Sequence, residues 1–163
     1  MSAASAASTL AVMDHAALDR QLRLGEDAAN EFKDVARNGF SIDRMDLAKA
    51  LAAFANSGGG RILLGVSDDG TVTGTGGVQQ TDALLRHVTQ VCRDLVSPPL
   101  SCRPLKVERD GWTVLVVVVP GFAPDRPYLV SGADYVRDGT QNRKASRDEQ
   151  IRLLQSADYH FDE

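Results

Sequence analysis

The sequence is poor in the residues that cross-link or anchor small proteins. Only two of its 163 residues are cysteines and three are histidines. Two cysteines are too few for a disulfide framework, and a four-ligand zinc site would also need the histidines, which are scattered along the chain. We therefore expect no zinc. The longest apolar run, residues 114–119, has the length of a strand, far from the ~18 residues of a membrane helix. These absences predict a reducing, cytoplasmic setting and no membrane partner.

The chain also lacks an excess of positive charge. Its 18 lysines and arginines stand against 22 acidic residues, a formal net charge of −4, which argues against a protein that coats polyanions. Residues 126–147 nevertheless hold five basic and two acidic residues. Arg137, Arg143 and Lys144 in this stretch are candidate contacts to a nucleic-acid backbone, because arginine suits phosphate. The abundance of arginine throughout the chain explains the stretch equally well.

The rest of the composition is that of an ordinary folded domain, with 43% hydrophobic and 25% charged residues. Apolar spacing predicts helices over residues 14–24, 45–56 and 82–96, and a last helix from Ser146. Ser41 is the predicted N-cap of the second helix. Strands are predicted over residues 61–66, 105–108, 112–119, 127–130 and 134–137. This order predicts an α+β fold, with a mixed or antiparallel sheet packed with about four helices.

No internal repeat or long linker divides the chain, so we predict one domain over residues 14–157. Residues 1–13, rich in serine and alanine, lack the basic start and apolar stretch of a secretory signal. They are predicted to form a disordered tail, and residues 158–163 a short acidic tail.

The glycine run Ser57-Gly58-Gly59-Gly60 is the first candidate for a ligand site. A phosphate-binding loop follows a strand and opens a helix, whose N-terminus faces the phosphates. Here a helix precedes the glycines and a strand follows, and the negative end of a helix disfavours phosphate. The run therefore predicts a tight helix-to-strand turn, and we do not expect ATP.

The acidic residues are more informative. In an extended segment Glu31 and Lys33 point to one side and Phe32 to the other. Asp68 follows a predicted buried strand, and Glu26 reaches Glu31 only if the chain bends between them. Together the three acids would suit Mg²⁺ or Mn²⁺, with Lys33 beside a phosphate.

An ordinary structural explanation stays open for each of these residues. Glu31 and Lys33 on an edge strand often form a solvated salt bridge, and Asp68-Asp69-Gly70 is a common turn. Cys92 lies on the apolar side of its helix, which predicts an inert core residue. Trp112 is expected to pack, and could stack on a base only if it were exposed.

Three segments carry a resemblance to a known family. Residues 26–33 (EDAANEFK), residues 51–60 (LAAFANSGGG) and residues 62–68 (ILLGVSD) resemble, in this order, the Schlafen AlbA-type domain. The later Tyr135-Val-Arg137-Asp-Gly139 and the helix start near Ser146 are also similar to it. The match runs over about residues 22–154.

This resemblance implies an α+β fold that binds nucleic acid. Schlafen ribonucleases use two glutamates and an aspartate in a metal-dependent site that cuts structured RNA such as tRNA. By motif position these are Glu26, Glu31 and Asp68. Asp27 departs from the serine common at its position. Animal members pair two such lobes, so a single lobe is expected to form a homodimer.

The leading hypothesis is therefore a protein that binds RNA or DNA, with endoribonuclease activity at the three acids. The alternative is a non-catalytic DNA-binding or regulatory module. A nucleotide-binding regulator is a third interpretation.

Overall fold

The structure, a computed structural model, describes residues 13–161, and for residues 157–161 it describes the backbone alone. The helices in this range are α1 His15–Leu24, α2 Arg44–Ala55, α3 Val78–Asp94 and α4 Arg147–Phe161. The strands are β1 Asn30–Lys33, β2 Gly60–Leu64, β3 Arg103–Arg109, β4 Trp112–Val119, β5 Leu129–Val130, β6 Ala133–Asp138 and β7 Gln141–Lys144. A short 3₁₀ helix spans Ala36–Asn38. No helix in the described range is long and apolar enough to span a bilayer.

The strands form two sheets. The larger has the order β1-β2-β4-β3, in which β1 and β2 are parallel and the other pairs antiparallel. The smaller sheet, β5-β6-β7, is antiparallel throughout. This mixed architecture with four helices in the described chain confirms the predicted α+β class.

The apolar run of residues 114–119 forms the centre of the larger sheet, which is covered on both faces. Leu115 and Val117 face the core beneath α2 and α3, whereas Val114 and Val116 face the core beneath α1. A strand covered on both faces has no polar positions to alternate with apolar ones. The smaller sheet packs on the α2 side, where Tyr135 joins the first of these cores.

The cap of α2 differs from the prediction. The Asp43 carboxylate accepts a hydrogen bond from the Asp46 N–H at 2.9 Å, so Asp43 is the N-cap. The Ser41 hydroxyl instead donates to the Asn38 carbonyl oxygen at 2.7 Å. Ser41 closes the preceding turn, and its predicted role as the cap is wrong.

Strand β7 was not predicted, because its sequence Gln-Asn-Arg-Lys has no apolar residue to mark a buried face. Its pairing with β6 provides what the local sequence lacks: Tyr135 faces Lys144 and Arg137 faces Asn142 across the two strands. This strand matters for the site, because it carries Asn142.

The predicted tails lie largely outside the described residues. Of residues 1–13 only Met13 is described, and its side chain is buried in the core beneath α1. Helix α4 continues to Phe161, so residues 158–161 of the predicted acidic tail are helical. Residues 162 and 163 lie outside the described range.

Candidate nucleic-acid site

A tight turn joins the two glutamates of the first motif. The Asp27 carboxylate accepts hydrogen bonds from the Ala29 N–H at 2.8 Å and the Asn30 amide at 3.0 Å, a geometry that Asp favours because its side chain mimics a backbone turn. Beyond the turn, Glu26 Oε1 accepts the Phe32 N–H at 2.8 Å. This is the bend that convergence of Glu26 and Glu31 required.

Glu31 is a buried node between the two sheets. Its residue is only 5% exposed, and its Oε1 accepts from Arg137 Nη1 at 2.6 Å and from Asn142 Nδ2 at 2.8 Å. Its Oε2 forms an ion pair with Lys33 Nζ at 3.3 Å but has no hydrogen-bond partner. Two donors from the small sheet therefore hold a carboxylate of the large one.

Arg137 is the partner that closes this node. Its side chain is 2% exposed, its Nη2 donates to the Asp27 carbonyl oxygen at 2.8 Å, and its guanidinium lies over the Phe54 ring, 4.7 Å from the centroid. Such stacking and fork geometry suit arginine in buried ion pairs. In this arrangement Arg137 offers almost no surface to a phosphate, and its predicted contact with a nucleic-acid backbone stays a prediction.

Asn56 and Ser57, from the second motif, attach the small sheet to the end of α2. Asn56 Nδ2 donates to the carbonyl oxygens of Tyr128 and Tyr135, both at 2.9 Å, and its Oδ1 accepts the Tyr128 N–H at 2.8 Å. Ser57 Oγ accepts the Arg137 N–H at 3.1 Å. The motif thus positions β6, and with it the guanidinium that reaches Glu31.

The glycines that follow are required by packing. Gly59 has φ +77° at the helix-to-strand turn, and a Cβ there would meet the Gly121 nitrogen at 2.5 Å. A side chain is excluded both by this backbone conformation and by the neighbouring loop. The predicted turn explains the run without a phosphate.

Asp68 lies apart from the buried node. It is exposed, in the turn after β2 that is closed by the hydrogen bond from the Gly70 N–H to the Ser67 carbonyl oxygen at 2.9 Å. The adjacent Asp69 stabilises that turn by accepting the Thr71 N–H at 3.0 Å. Asp68 is therefore free to face solvent on a rigid support.

The three acids interact electrostatically. Partial burial raises the pKa of the Glu26 carboxyl above its usual range, and the negative charges of Glu31 and Asp68 raise it further. The Phe32 N–H opposes this by stabilising the carboxylate. Glu26 thus lies close enough to Glu31 and to Asp68 to be affected by the charge of each.

The fit of these acids to a divalent cation is incomplete. Carboxylate oxygens are the ligands that Mg²⁺ prefers, and Glu31 Oε2 is a buried oxygen without a hydrogen bond. However, Glu31 Oε1 is committed to Arg137 and Asn142. Within residues 13–156, no three His, Cys, Asp or Glu side chains gather closely enough to hold a metal ion.

The other predicted contacts differ in accessibility. The Arg143 guanidinium donates to Asp138 at 2.9 Å and to both oxygens of Glu149 at 2.7 and 3.0 Å, so its fork is largely occupied. Lys144 is exposed at the end of β7. Trp112 is 51% exposed and meets the condition for base stacking, while part of its ring packs over Gly74.

A family profile described as "Schlafen, AlbA_2" matches residues 26–146, a range that includes the turn, the Glu31 node and the glycine run. The chain belongs to the Schlafen AlbA_2 family. Membership indicates a nucleic-acid-related function and confirms the resemblance of the three motifs. No curated protein matches the chain.

Two solved structures share the fold. The N-terminal domain of a RecG-related protein from Nitrosomonas europaea has a TM-score of 0.55 and 24% identity, covering 80% of this chain and 88% of that one. The DIP2311 protein from Corynebacterium diphtheriae has a TM-score of 0.53 and 23% identity, covering 78% of this chain. This chain spans only 24% of the Corynebacterium protein.

Sequence reasoning identified Glu31 but missed its partners. Arg137 and Asn142 lie 106 and 111 residues further along the chain, and no local period joins them to β1. The available signal was the Tyr135-Val-Arg137 segment within the family resemblance, which placed Arg137 in a motif without saying what it contacts.

Proposed function

We propose that this chain is a nucleic-acid-binding domain in which Glu31 is a structural residue. The buried state of Glu31 carries the proposal: one oxygen is bound by Arg137 at 2.6 Å and by Asn142 at 2.8 Å. A carboxylate engaged by a guanidinium in this way has less charge to offer a metal. Its evident role is to join the two sheets.

The binding surface we propose combines cations and an aromatic ring. Lys144 is exposed, and Lys33 is 28% exposed beside Glu31. Trp112 lies at the start of β4, and its ring packs against Gly74. Gly74 belongs to the chain segment that follows the turn carrying Asp68. Lysines supply phosphate contacts, and an exposed indole supplies a stacking platform that tolerates any base.

Binding is tested by fluorescence anisotropy with a labelled tRNA and a duplex DNA of similar length. We expect affinity to fall steeply with salt, because phosphate contacts release counterions. Trp112→Ala should weaken tRNA binding several-fold, whereas Phe122→Ala, at another exposed ring, should leave it unchanged. Lys144→Ala is compared with Lys106→Ala on β3. Failure to bind either nucleic acid at low salt would contradict the proposal.

A second candidate function is a metal-dependent endoribonuclease acting on structured RNA such as tRNA. The environment of Glu26 favours it: burial is the main cause of its raised pKa, and the negative charges of Glu31 and Asp68 raise the pKa further, so Glu26 lies within range of both acids. Glu26, Asp68 and Glu31 Oε2, which has an ion pair with Lys33 but no hydrogen bond, would hold Mg²⁺ or Mn²⁺, and Lys33 would neutralise a phosphate. Such an ion supplies an activated hydroxide for attack on the phosphodiester.

The two functions are separated by incubating labelled tRNA with the protein in manganese, magnesium or EDTA. Asp68→Asn is the informative variant, because it lies in an exposed turn and leaves the Glu31 node intact. Asp110→Asn, in the exposed β3–β4 turn, is the matched control. If EDTA abolishes cleavage by the wild type, and Asp68→Asn loses cleavage while Asp110→Asn retains it, the chain is a nuclease. Binding without cleavage in any metal would leave the binding domain.

We also propose that the chain forms a homodimer, which would extend a single lobe into a longer groove for nucleic acid. Size-exclusion chromatography with light scattering measures this directly. A monomer at micromolar concentration, with or without tRNA, would contradict it.

A further inference from the structure

The two cysteines of the chain meet outside the candidate nucleic-acid site. Cys92 is buried near the end of α3, and Cys102 is half-buried immediately before β3. Their sulfur atoms are 2.7 Å apart. Both are free thiols, and the sequence alone had predicted Cys92 to be an inert core residue.

This separation is too short for unrelated side chains. Carbon atoms in van der Waals contact lie ~3.5–4.0 Å apart, and sulfur is larger than carbon. A disulfide bond is about 2.03–2.05 Å long. The loop between the cysteines holds them there, since the Leu100 N–H donates to the Cys92 carbonyl oxygen at 3.0 Å. Little further movement joins the two sulfurs.

The two thiols are chemically unequal. Hydrogen bonding from Cys92 lowers the pKa of the Cys102 thiol, whereas the same contact together with burial raises the pKa of Cys92. Cys102 is also the more accessible of the two: Cys92 is only 4% exposed. Thiolate character and access decide which sulfur attacks first, and both properties select Cys102.

We propose that Cys102 and Cys92 form a reversible dithiol–disulfide site that reacts with low-molecular-weight disulfides. The Cys102 thiolate attacks one sulfur of the small disulfide, giving a mixed disulfide and releasing one small thiolate. Cys92 then loses its proton and attacks Cys102 Sγ, which releases the second small thiolate. One external disulfide is thereby reduced to two thiols while the protein loses two hydrogen atoms.

The cross-link would brace the loop that touches the small sheet. Between the cysteines, the Ser97 N–H donates to the Leu129 carbonyl oxygen at 2.9 Å and the Leu129 N–H to the Ser97 carbonyl oxygen at 2.7 Å. Leu129 belongs to β5, the neighbour of the strand that carries Arg137. A disulfide would therefore restrict a loop hydrogen-bonded to the sheet that holds Glu31.

The test treats the purified chain with excess oxidised glutathione and measures its intact mass under native conditions. We expect the wild type to lose two hydrogen atoms without retaining glutathione, and to regain them with dithiothreitol. Trypsin cleaves after Arg93 and spares the Arg103–Pro104 bond, so the cysteines fall in separate peptides, residues 87–93 and 94–106. A cross-linked pair of these peptides identifies the bond.

Single variants test the order of the two attacks. Cys92→Ser should retain one glutathione on Cys102, because the second attack is lost. Cys102→Ser should remain unmodified over the same time, because Cys92 is buried. The oxidised wild type should also melt several degrees above the reduced form, since the cross-link constrains the unfolded chain.

The wild type keeps the proposal falsifiable if a variant fails to fold. A native wild-type chain that stays reduced, or that retains glutathione without the cross-linked peptides, would overturn it. Equal labelling of both single variants would overturn the assigned order of attack.

Discussion

Arg137 and Arg143 lie on adjacent strands of the small sheet and bind carboxylates in opposite surroundings. Arg137 on β6 is 2% exposed and reaches across to Glu31 on the large sheet, whereas Arg143 on β7 is 40% exposed and binds Asp138 and Glu149 near its own strand. Their hydrogen-bond lengths are similar, 2.6 Å and 2.7–3.0 Å. The difference between the two networks is burial and the distance along the chain that each one spans.

Burial determines what each network contributes to the protein. Water screens the Arg143 network and competes for its donors, so it contributes little to stability. The Glu31 node is shielded, so removing Arg137 leaves a buried carboxylate compensated only by Lys33, whose Nζ lies 3.3 Å away. We therefore infer that the buried network holds the two sheets together, whereas the exposed network belongs to the solvated surface near Lys144.

The largest effect is expected at Arg137. Arg137→Ala should lower the free energy of unfolding by about 3–5 kcal/mol, because it removes the buried cation that is hydrogen-bonded to Glu31 and the contact with Phe54. Chemical denaturation measures the change, with Arg143→Ala as the matched arginine. Equal losses in the two variants would end the distinction between the networks.

A double-mutant cycle isolates the Glu31–Arg137 contact itself. Glu31→Gln and Arg137→Met should each destabilise the chain, but the double variant should cost less than their sum, with a coupling of about 1–3 kcal/mol. The reason is that the double change removes both buried charges. Additive losses in denaturation would show that the two residues act independently.

Asn142 is expected to contribute less than Arg137. Asn142→Ala removes its hydrogen bonds to Glu31 and to Arg137, and the loss should be about 1.5–3 kcal/mol, as for a hydrogen bond to a charged group. Asn142→Asp should be more damaging because it places a second anion against Glu31. Thermal unfolding of both variants checks this order.

A small effect is expected from the exposed network. Arg143→Ala should lower the free energy of unfolding much less than Arg137→Ala does, and this loss should shrink as salt screens the ion pairs. Denaturation at low and high ionic strength measures both. A loss that is large and independent of salt would place Arg143 in the same class as Arg137.

The smallest effect concerns pH. Hydrogen bonds from Arg143 and from the Ser146 N–H lower the pKa of Glu149 from 4.5 to about 2. A lowered folded-state pKa gives stability that is present above the unfolded value and lost as pH falls through the folded one. Glu149→Gln should therefore flatten the decline in stability between pH 4.5 and 2. If the stability of Glu149→Gln declined as steeply as that of the wild type over this pH range, this assignment would be contradicted.

Much of the fold could be predicted from local sequence. The length of the apolar run at residues 114–119 predicted the central strand. Ser146 predicted the start of the last helix, where hydrogen bonds of 2.8 and 3.2 Å between Ser146 and Glu149 form a capping box. Strand β7 could not be predicted, because nothing in Gln-Asn-Arg-Lys marks a strand until β6 lies beside it. Apolar spacing and capping residues predict contacts between residues that are near one another in the chain, and they do not predict contacts between distant strands.

The candidate site divides in the same way. The alternation along β1 correctly placed Glu31 and Lys33 on one side, where their charged groups lie 3.3 Å apart. The partners of Glu31 come from more than a hundred residues away. The contact between Cys92 and Cys102 was also missed, since helical spacing marks Cys92 as a core residue without saying what lies across from it.

By itself the sequence determined which residues are acidic, where the chain turns, and that an apolar sheet would form beneath amphipathic helices, because each depends on neighbours a few positions away. Only the tertiary structure decided whether an acid is free or bound. That choice depends on the small sheet docking against β1, which brings a guanidinium and an amide to Glu31 and leaves Asp68 in water.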